Sequence, residues 1–210
     1  EILTRLVGSE MCIRDRAVDI AGFEIRDAIN WVYTQNQPKG MSVNRSINTL
    51  DLDNGQKEKL RVMYKNYKTP GMKSCYEPIC VAMKPTEGRF IDNELNFKTG
   101  LLNFGEKVGR NKVIANVVTV NEFDDVYDSN FLVTKPSKKE KGFSNIHLSV
   151  KPLTLIEHLL RIFTKEGSMV IDPFLGSGTT AVACKNLKRK CIGIERESEY
   201  IKICFQRLDT

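Results

Sequence analysis

Asp172, Glu195 and the glycine turn between them are the residues of this 210-residue chain whose types and spacing could do chemistry. A short apolar run, Met169-Val-Ile171, ends in Asp172-Pro-Phe-Leu175. Gly176-Ser-Gly-Thr-Thr-Ala181 follows and opens a helical pattern. A second apolar run, Cys191-Ile-Gly-Ile194, ends in Glu195. Strand, glycine turn, helix, strand and acid is the order in which an α/β sheet builds a nucleoside pocket. Gly176 and Gly178 let the backbone approach a ligand, and the helix that starts behind them leaves its first N–H groups unpaired. An acid at the tip of the next strand can accept hydrogen bonds from ribose hydroxyls. The candidate pocket residues read from this pattern are Asp172, Gly176, Gly178 and Glu195, the last at the ribose.

Three cofactor classes compete for this pattern. Gly176–Ala181 satisfies the dinucleotide fingerprint G-x-G-x-x-G/A, and Glu195 lies near the expected spacing of roughly 20 residues. Against a dinucleotide, Asp172-Pro-Phe-Leu175 separates the strand from the first glycine, and only a short tail follows Glu195. A phosphate-gripping P-loop needs Lys then Ser or Thr after the glycine, where this chain has Thr179-Thr180. S-adenosylmethionine remains. Its sulfonium is cationic, so an acid such as Asp172 suits it better than the anion-seeking helix end that a pyrophosphate wants. The plain alternative is a loop that only turns the chain.

Asp172-Pro-Phe-Leu-Gly-Ser-Gly-Thr-Thr180, with Ile192-Gly-Ile-Glu195 and Glu199-Tyr200, resembles the cofactor motif of amino-methylating DNA methyltransferases, which modify N6 of adenine or N4 of cytosine. Asn145-Ile-His-Leu-Ser-Val-Lys-Pro152 resembles the N-x-H-P-T-x-K-P element that closes over the methionine end of the cofactor. Leu148 and Ser149 replace its Pro-Thr pair, while Lys151 and Pro152 are kept. Gly22-Phe-Glu-Ile-Arg-Asp…Trp31, Pro38-Lys39, Tyr76-Glu-Pro-Ile79, Lys84-Pro85 and Thr99–Asn103 match the same enzymes in order. That order is similar to the permuted class, in which the recognition region precedes the cofactor motif. The resemblance implies a partial Rossmann-like α/β sheet with an inserted, irregular DNA-recognition region, S-adenosyl-L-methionine as cofactor and double-stranded DNA as partner. By the same resemblance, Pro173, Phe174, Ser177, Thr179 and Thr180 join Asp172, Gly176 and Gly178 at the cofactor, with Pro152 beside them, Lys151 at the loop's outer edge and Ile194 flanking the adenine. It also implies a bacterial or phage origin, cytoplasmic action and a possible cognate restriction endonuclease. Adenine is the expected base, from the similarity of the Gly22–Tyr33 and Tyr76–Pro85 segments, with N4 of cytosine, or a DNA-binding remnant without catalysis, as the alternatives. The family's catalytic tetrapeptide, Asp/Asn/Ser-Pro-Pro-aromatic, has no counterpart, because Pro-Pro occurs nowhere in the chain.

The elements that must position these residues follow from periodicity. Leu155, Leu159, Ile162 and Phe163 recur at helical spacing over 153–163, with Pro152 at the helix start. Gly22–Tyr33 alternates as a half-buried strand pair would. Glu10–Arg16 resembles a translated transposase adapter, so residues 1–16 are expected to be foreign to the protein. The expected partition is then 17–35 as strands of the catalytic half, 36–143 as the target-recognition region and 144–210 as the cofactor subdomain. Lys135, Lys138, Lys139 and Lys141 suit either DNA phosphates or a solvated loop. Lys185, Lys188, Arg189 and Lys190 need no ligand at a helix C-terminus.

Net charge is +6, from 32 basic and 26 acidic residues, a balance compatible with nucleic acid. The six cysteines form no C-x-x-C pair, so the spacing supports neither zinc nor a disulfide framework, and reduced thiols are expected. No apolar run approaches the ~18 residues of a membrane span.

Overall fold

The structure, a computed structural model, describes residues 9–33, 39–71, 75–106, 117–119, 131–132, 135–142, 145–147 and 149–209. In chain order the elements are α1 (Ser9–Ile20), β1 (Glu24–Val32), α2 (Asn44–Asn48), α3 (Asn54–Met63), β2 (Tyr76–Met83), α4 (Phe90–Phe97) and β3 (Val117–Thr119). Then come β4 (Phe131–Leu132), α5 (Lys138–Lys141), α6 (Leu153–Phe163), β5 (Met169–Asp172), α7 (Thr179–Asn186), β6 (Lys190–Gly193) and α8 (Ser198–Leu208). The chain separates into two units, Tyr33–Tyr76 and the remainder. Pro38 and Leu148 lie outside the described residues.

The larger unit holds two sheets, one ordered β2-β1-β3-β4 and a parallel pair β5-β6. Gly22–Tyr33 holds the single strand β1, not the expected pair. Its first five strand residues are exposed, and burial sets in only from Ile29, with Trp31 and Tyr33 almost fully enclosed. Period-two alternation was present in the sequence, but alternation alone does not place a turn.

β5, α7 and β6 make a βαβ unit in which Asp172 aligns with Gly193. One face of the strand pair packs on α6 and α7 around Leu160, Ala183 and Cys184, joined by Val170, Ile156 and Cys191. Ala183 and Cys184 are small enough for the two helices to approach closely. Burial, and next the neighbouring Cys191, push the Cys184 thiol up to about 12, so it stays protonated and acts as a small apolar side chain. The other face of the pair leaves Met169, Ile171, Ile192 and Ile194 exposed.

Helix α6 starts after Pro152, whose fixed φ suits the entry, and the Glu140 carboxylate caps it by accepting the Leu153 N–H at 2.8 Å. The helix bounds match the periodicity, and its buried face matches in part. Leu155, His158, Leu160 and Ile162 are inside, whereas Leu159 is half-buried and Phe163 lies at the surface. A histidine at the centre of the buried stripe is what an apolar-only reading passes over.

In the smaller unit, Asp53 and Gln56 form a reciprocal capping box at the start of α3, with bonds of 2.8 and 3.2 Å. Met41 and Thr69 tie the ends of the unit together through two bonds of 2.9 Å.

Candidate functional site

The glycine turn is closed by two acids, one at each strand end. Asp172 Oδ1 accepts the Phe174 N–H at 3.0 Å and Oδ2 accepts the Thr180 hydroxyl at 2.6 Å, so a single carboxylate spans the loop. Glu195 Oε2 accepts the Gly176 N–H at 2.7 Å and Oε1 accepts the Glu197 N–H at 2.9 Å. The Glu197 amide first, and then the Gly176 amide, hold the Glu195 carboxyl below its ordinary range against a partial desolvation. A carboxylate offers about four acceptor positions. Each acid therefore keeps capacity for a ligand.

Gly176 and Gly178 have φ of 57° and 85°, the left-handed region that glycine enters without strain. Space constrains them as well. A Cβ at Gly176 would come within 2.8 Å of His147 Nε2, and one at Gly178 within 2.9 Å of Cys204 Cβ. Gly193 is packed in the same way against Leu175. Gly178 is the N-cap of α7 and supplies no side-chain cap, so the first N–H groups of that helix have no side-chain partner from the cap position.

Three residues outside the glycine turn brace it. Arg207 on α8 donates to the Ser177 carbonyl at 2.9 Å and to the Thr179 hydroxyl at 3.1 Å. Asn145 donates to Ser177 Oγ at 3.1 Å and takes the His147 N–H at 3.0 Å. Tyr200 packs edge-on against His147, with ring centroids 4.5 Å apart. Ser177 and Thr179 are buried as a result. Asn145 and Tyr200 stood in the quoted motifs without a role. Arg207 gave no sequence signal, since its loop partners lie about thirty residues away.

The candidate residues fall into two adjoining clefts, not one pocket. The first, of about 220 Å³, is lined by His147, Lys151, Asp172, Phe174, Gly176, Ser177, Thr179 and Thr180, among others. The second, of about 310 Å³, is lined by Ile194 and Glu195 with Leu175, Gly193, Ile201, Cys204 and Phe205. Leu175 is the wall they share. Pro152 is buried behind the segment and lines neither cleft, and Pro173 and Gly178 also shape the loop without lining it. Phe174 stands 88% exposed at the rim of the first cleft.

Lys151, kept from the element expected to close over the methionine end of the cofactor, lines the first cleft, but its Nζ pairs with Glu77 of β2 and lies 5.9 Å from the Trp31 ring centroid. Lys138, Lys139 and Lys141 form the short helix α5, with the first two exposed, and Lys135 precedes it half-buried. Arg189 donates to the Thr164 hydroxyl and carbonyl and to the Leu187 carbonyl, a structural brace as the helix-end position suggested. Among the described residues no cluster of His, Cys, Asp or Glu has the makings of a metal site, and no helix is long and apolar enough to cross a membrane.

This is the site of an α/β protein whose glycine turn is held between two acids, one at the end of β5 and one just past β6. The profile of the DNA methylase family, N6_N4_Mtase, matches residues 7–206, and the chain belongs to that family. The type II methyltransferase M2.DpnII of Streptococcus pneumoniae is 45% identical over 73 residues, 35% of this chain and 27% of that protein. The type II methyltransferase M.HindIII of Haemophilus influenzae is 27% identical over 195 residues, 91% of this chain and 57% of its own length. The chain thus spans about a quarter to little more than half of these relatives. Among solved structures, an M1.HpyAVI–SAM complex superposes with a TM-score of 0.51 at 25% identity, covering 95% of this chain and 70% of the other. The cytosine-N4-specific PvuII DNA methyltransferase gives 0.54 at 18% identity, covering 94% and 55%, a likeness of fold alone. The sheet arrangement is a partial Rossmann-like one. The family match begins at residue 7 and α1 at Ser9, so both run through the segment that resembles an adapter.

Proposed function

We propose that this chain carries the S-adenosyl-L-methionine site of a DNA amino-methyltransferase that modifies N6 of adenine in a specific duplex sequence. The observation that carries the reading is the glycine turn held between Asp172 and Glu195 under His147 and Lys151. The ligand expected there is a zwitterion with a cationic sulfur and a ribose, and the site has a group for each part. Lys151 and His147 face its carboxylate, Asp172 lies on the side of its positive charges, and the free acceptor capacity of Glu195 suits the ribose hydroxyls. Ile194 and Ile201 offer apolar contact to the adenine. The first cleft alone is below the ~300–1,000 Å³ of a typical cofactor pocket, which supports an extended ligand crossing Leu175 into the second cleft.

When bound, the cofactor supplies an electrophilic methyl group. This chain's contribution is to fix that group in one place by loop, acids and lysine, since positioning supplies much of the rate in such transfers. The target base would have to leave the duplex stack for its amino group to be reached. Without an Asp/Asn/Ser-Pro-Pro-aromatic tetrapeptide, the 210 residues are assigned cofactor binding and not transfer. A cognate restriction endonuclease and cytoplasmic action complete the proposal. The choice of adenine is supported by the resemblance of the Gly22–Tyr33 and Tyr76–Pro85 segments.

Calorimetry tests the reading. S-adenosylmethionine is expected to bind weakly but saturably, and Glu195→Ala to weaken it further. Binding unaffected by Glu195→Ala, or a preference for a nicotinamide dinucleotide, would overturn the assignment. Methyl incorporation into duplex DNA by this chain alone would overturn the division between binding and transfer.

A further inference from the structure

The residues leading up to Lys151 form a short ladder of side-chain acceptors. The Asn145 amide NH₂ donates to the Lys141 carbonyl at 2.8 Å and to Ser177 Oγ at 3.1 Å, which ties the first rung to α5 and to the glycine turn at once. Each polar side chain then takes the amide two residues on. Asn145 Oδ1 accepts the His147 N–H at 3.0 Å, and His147 Nδ1 accepts the Ser149 N–H at 3.2 Å. Lys151 stands two residues further on, between the buried Val150 and Pro152.

The second rung fixes the state of the ring. An N–H can donate only to an imidazole nitrogen that carries no proton, so the neutral ring holds its hydrogen on Nε2. That nitrogen stands over the glycine turn, where a Cβ on Gly176 would lie 2.8 Å from it. A second proton on the ring goes to Nδ1. Two donors would then face each other at 3.2 Å, and the bond to Ser149 ends. The charged and titratable groups placed around the ring, among the described residues, come from every neighbouring element. They are Glu195 beyond β6, Asp172 at the end of β5, Lys151 on the same segment, Tyr200 of α8 and, across Ser177, Arg207. Two acids and two bases thus surround it, and the Ser149 N–H is the contact that tells the neutral ring from the cation.

We propose that His147 is a proton-sensitive positioning residue, whose neutral Nε2–H form holds Ser149, and through it Lys151, in place at the first cleft. The proposal rests on the S-adenosylmethionine reading of that cleft and names a regulation of it. Imidazole is the side chain whose ordinary change of charge falls between pH 5 and 8, and that is the range in which the effect is sought. The neutral ring is the competent one, so cofactor affinity is full at the alkaline end and declines as pH falls. Apparent affinity follows the competent fraction, so a fall of that fraction to about one tenth weakens binding about tenfold.

Two measurements on the whole 210-residue chain test it. In the ligand-free chain at about pH 8, nitrogen NMR of the ring should show the Nε2–H tautomer. The Ser149 amide proton should then shift together with the ring as the pH is lowered to about 5.5. An Nδ1–H tautomer, or a Ser149 amide that does not follow the ring, would overturn the proposal whether or not the cofactor binds. Calorimetry with S-adenosylmethionine next compares the unaltered chain with His147→Asn, whose Oδ1 can replace Nδ1 as acceptor and takes no proton in this range. The variant should bind less tightly at about pH 8, because the Nε2–H is gone. Between about pH 8 and 5.5 the unaltered chain should lose about fivefold or more in affinity beyond what the variant loses. The amine of the ligand titrates alike in both and cancels from the comparison. Parallel profiles would sink the idea, and so would His147→Asn binding no better than His147→Ala at the alkaline end. If S-adenosylmethionine does not bind at all, the cofactor reading falls, while the ligand-free measurements still decide the role of the ring.

Discussion

The Glu195 carboxylate accepts the Gly176 N–H at 2.7 Å, so the acid at the tip of β6 is a strut of the glycine loop as well as a candidate ribose contact. Its second oxygen is held by Glu197. Glu195→Gln should therefore disturb the loop before any ligand arrives, because an amide NH₂ must face one of two N–H donors. Amide hydrogen exchange at Gly176 is expected to accelerate, and S-adenosylmethionine affinity to fall about tenfold, the scale of one charge-assisted hydrogen bond. Because backbone donors depress this carboxyl, its contribution is present above the ordinary Glu range near pH 4.5 and is lost only as pH falls further. An NMR titration of the Gly176 amide should show its midpoint below that range.

Gly178→Ala places a Cβ in a left-handed residue against Cys204 Cβ. Strain and overlap together should lower stability by about 2–4 kcal/mol, a fall in Tm of roughly 5–15 °C for a chain of this size. Adding Cys204→Ala should not restore it, since the clashing Cβ remains. Thermal denaturation of both variants checks this, and a rescued double variant would refute the packing argument.

His158 sits in the buried face of α6, where burial first and the charge of Arg161 second lower it from 6.5 to about 4. The native state holds it neutral, and the unfolded chain protonates it first. Stability is then full above about pH 6.5 and declines as pH falls towards about 4, by at most about 3 kcal/mol. Urea unfolding at pH 7.5 and pH 4.5 should show most of that loss, and His158→Met should flatten the difference between the two.

Trp31 is the single tryptophan of the chain, and Lys151 Nζ lies 5.9 Å from its ring while paired with Glu77. A carboxylate entering the first cleft competes with Glu77 for Lys151 and changes the charge beside the indole. S-adenosylmethionine should thus alter Trp31 emission, while Lys151→Met should abolish the response. A full response in Lys151→Met would show that the lysine is not the reporter.

The β5–α7–β6 unit, its glycine loop and the helix at 153–163 were legible because each has a local signature: apolar runs, paired glycines, a proline at a helix start. What was not legible depended on which face turns inward and on partners distant in sequence. Leu159 and Phe163 carry the same periodicity as Leu155, yet His158 is fully buried where they are not. Arg207 and Glu77 look like ordinary surface charges until α8 and β2 bring them to Ser177 and Lys151. The division of the site into two clefts follows from one side chain, Leu175, whose packing against Gly193 no spacing rule encodes.

Tyr33 donates its N–H to the Cys75 carbonyl at 2.8 Å, so the two ends of the smaller unit meet. A segment whose two ends already meet can be lengthened, shortened or exchanged with little effect on the strands it interrupts. The basic unit is on this account a cassette. A designer could excise residues 34–74 and bridge Tyr33 to Cys75 with a short turn, removing the excess charge of that segment while keeping the sequence of the glycine loop.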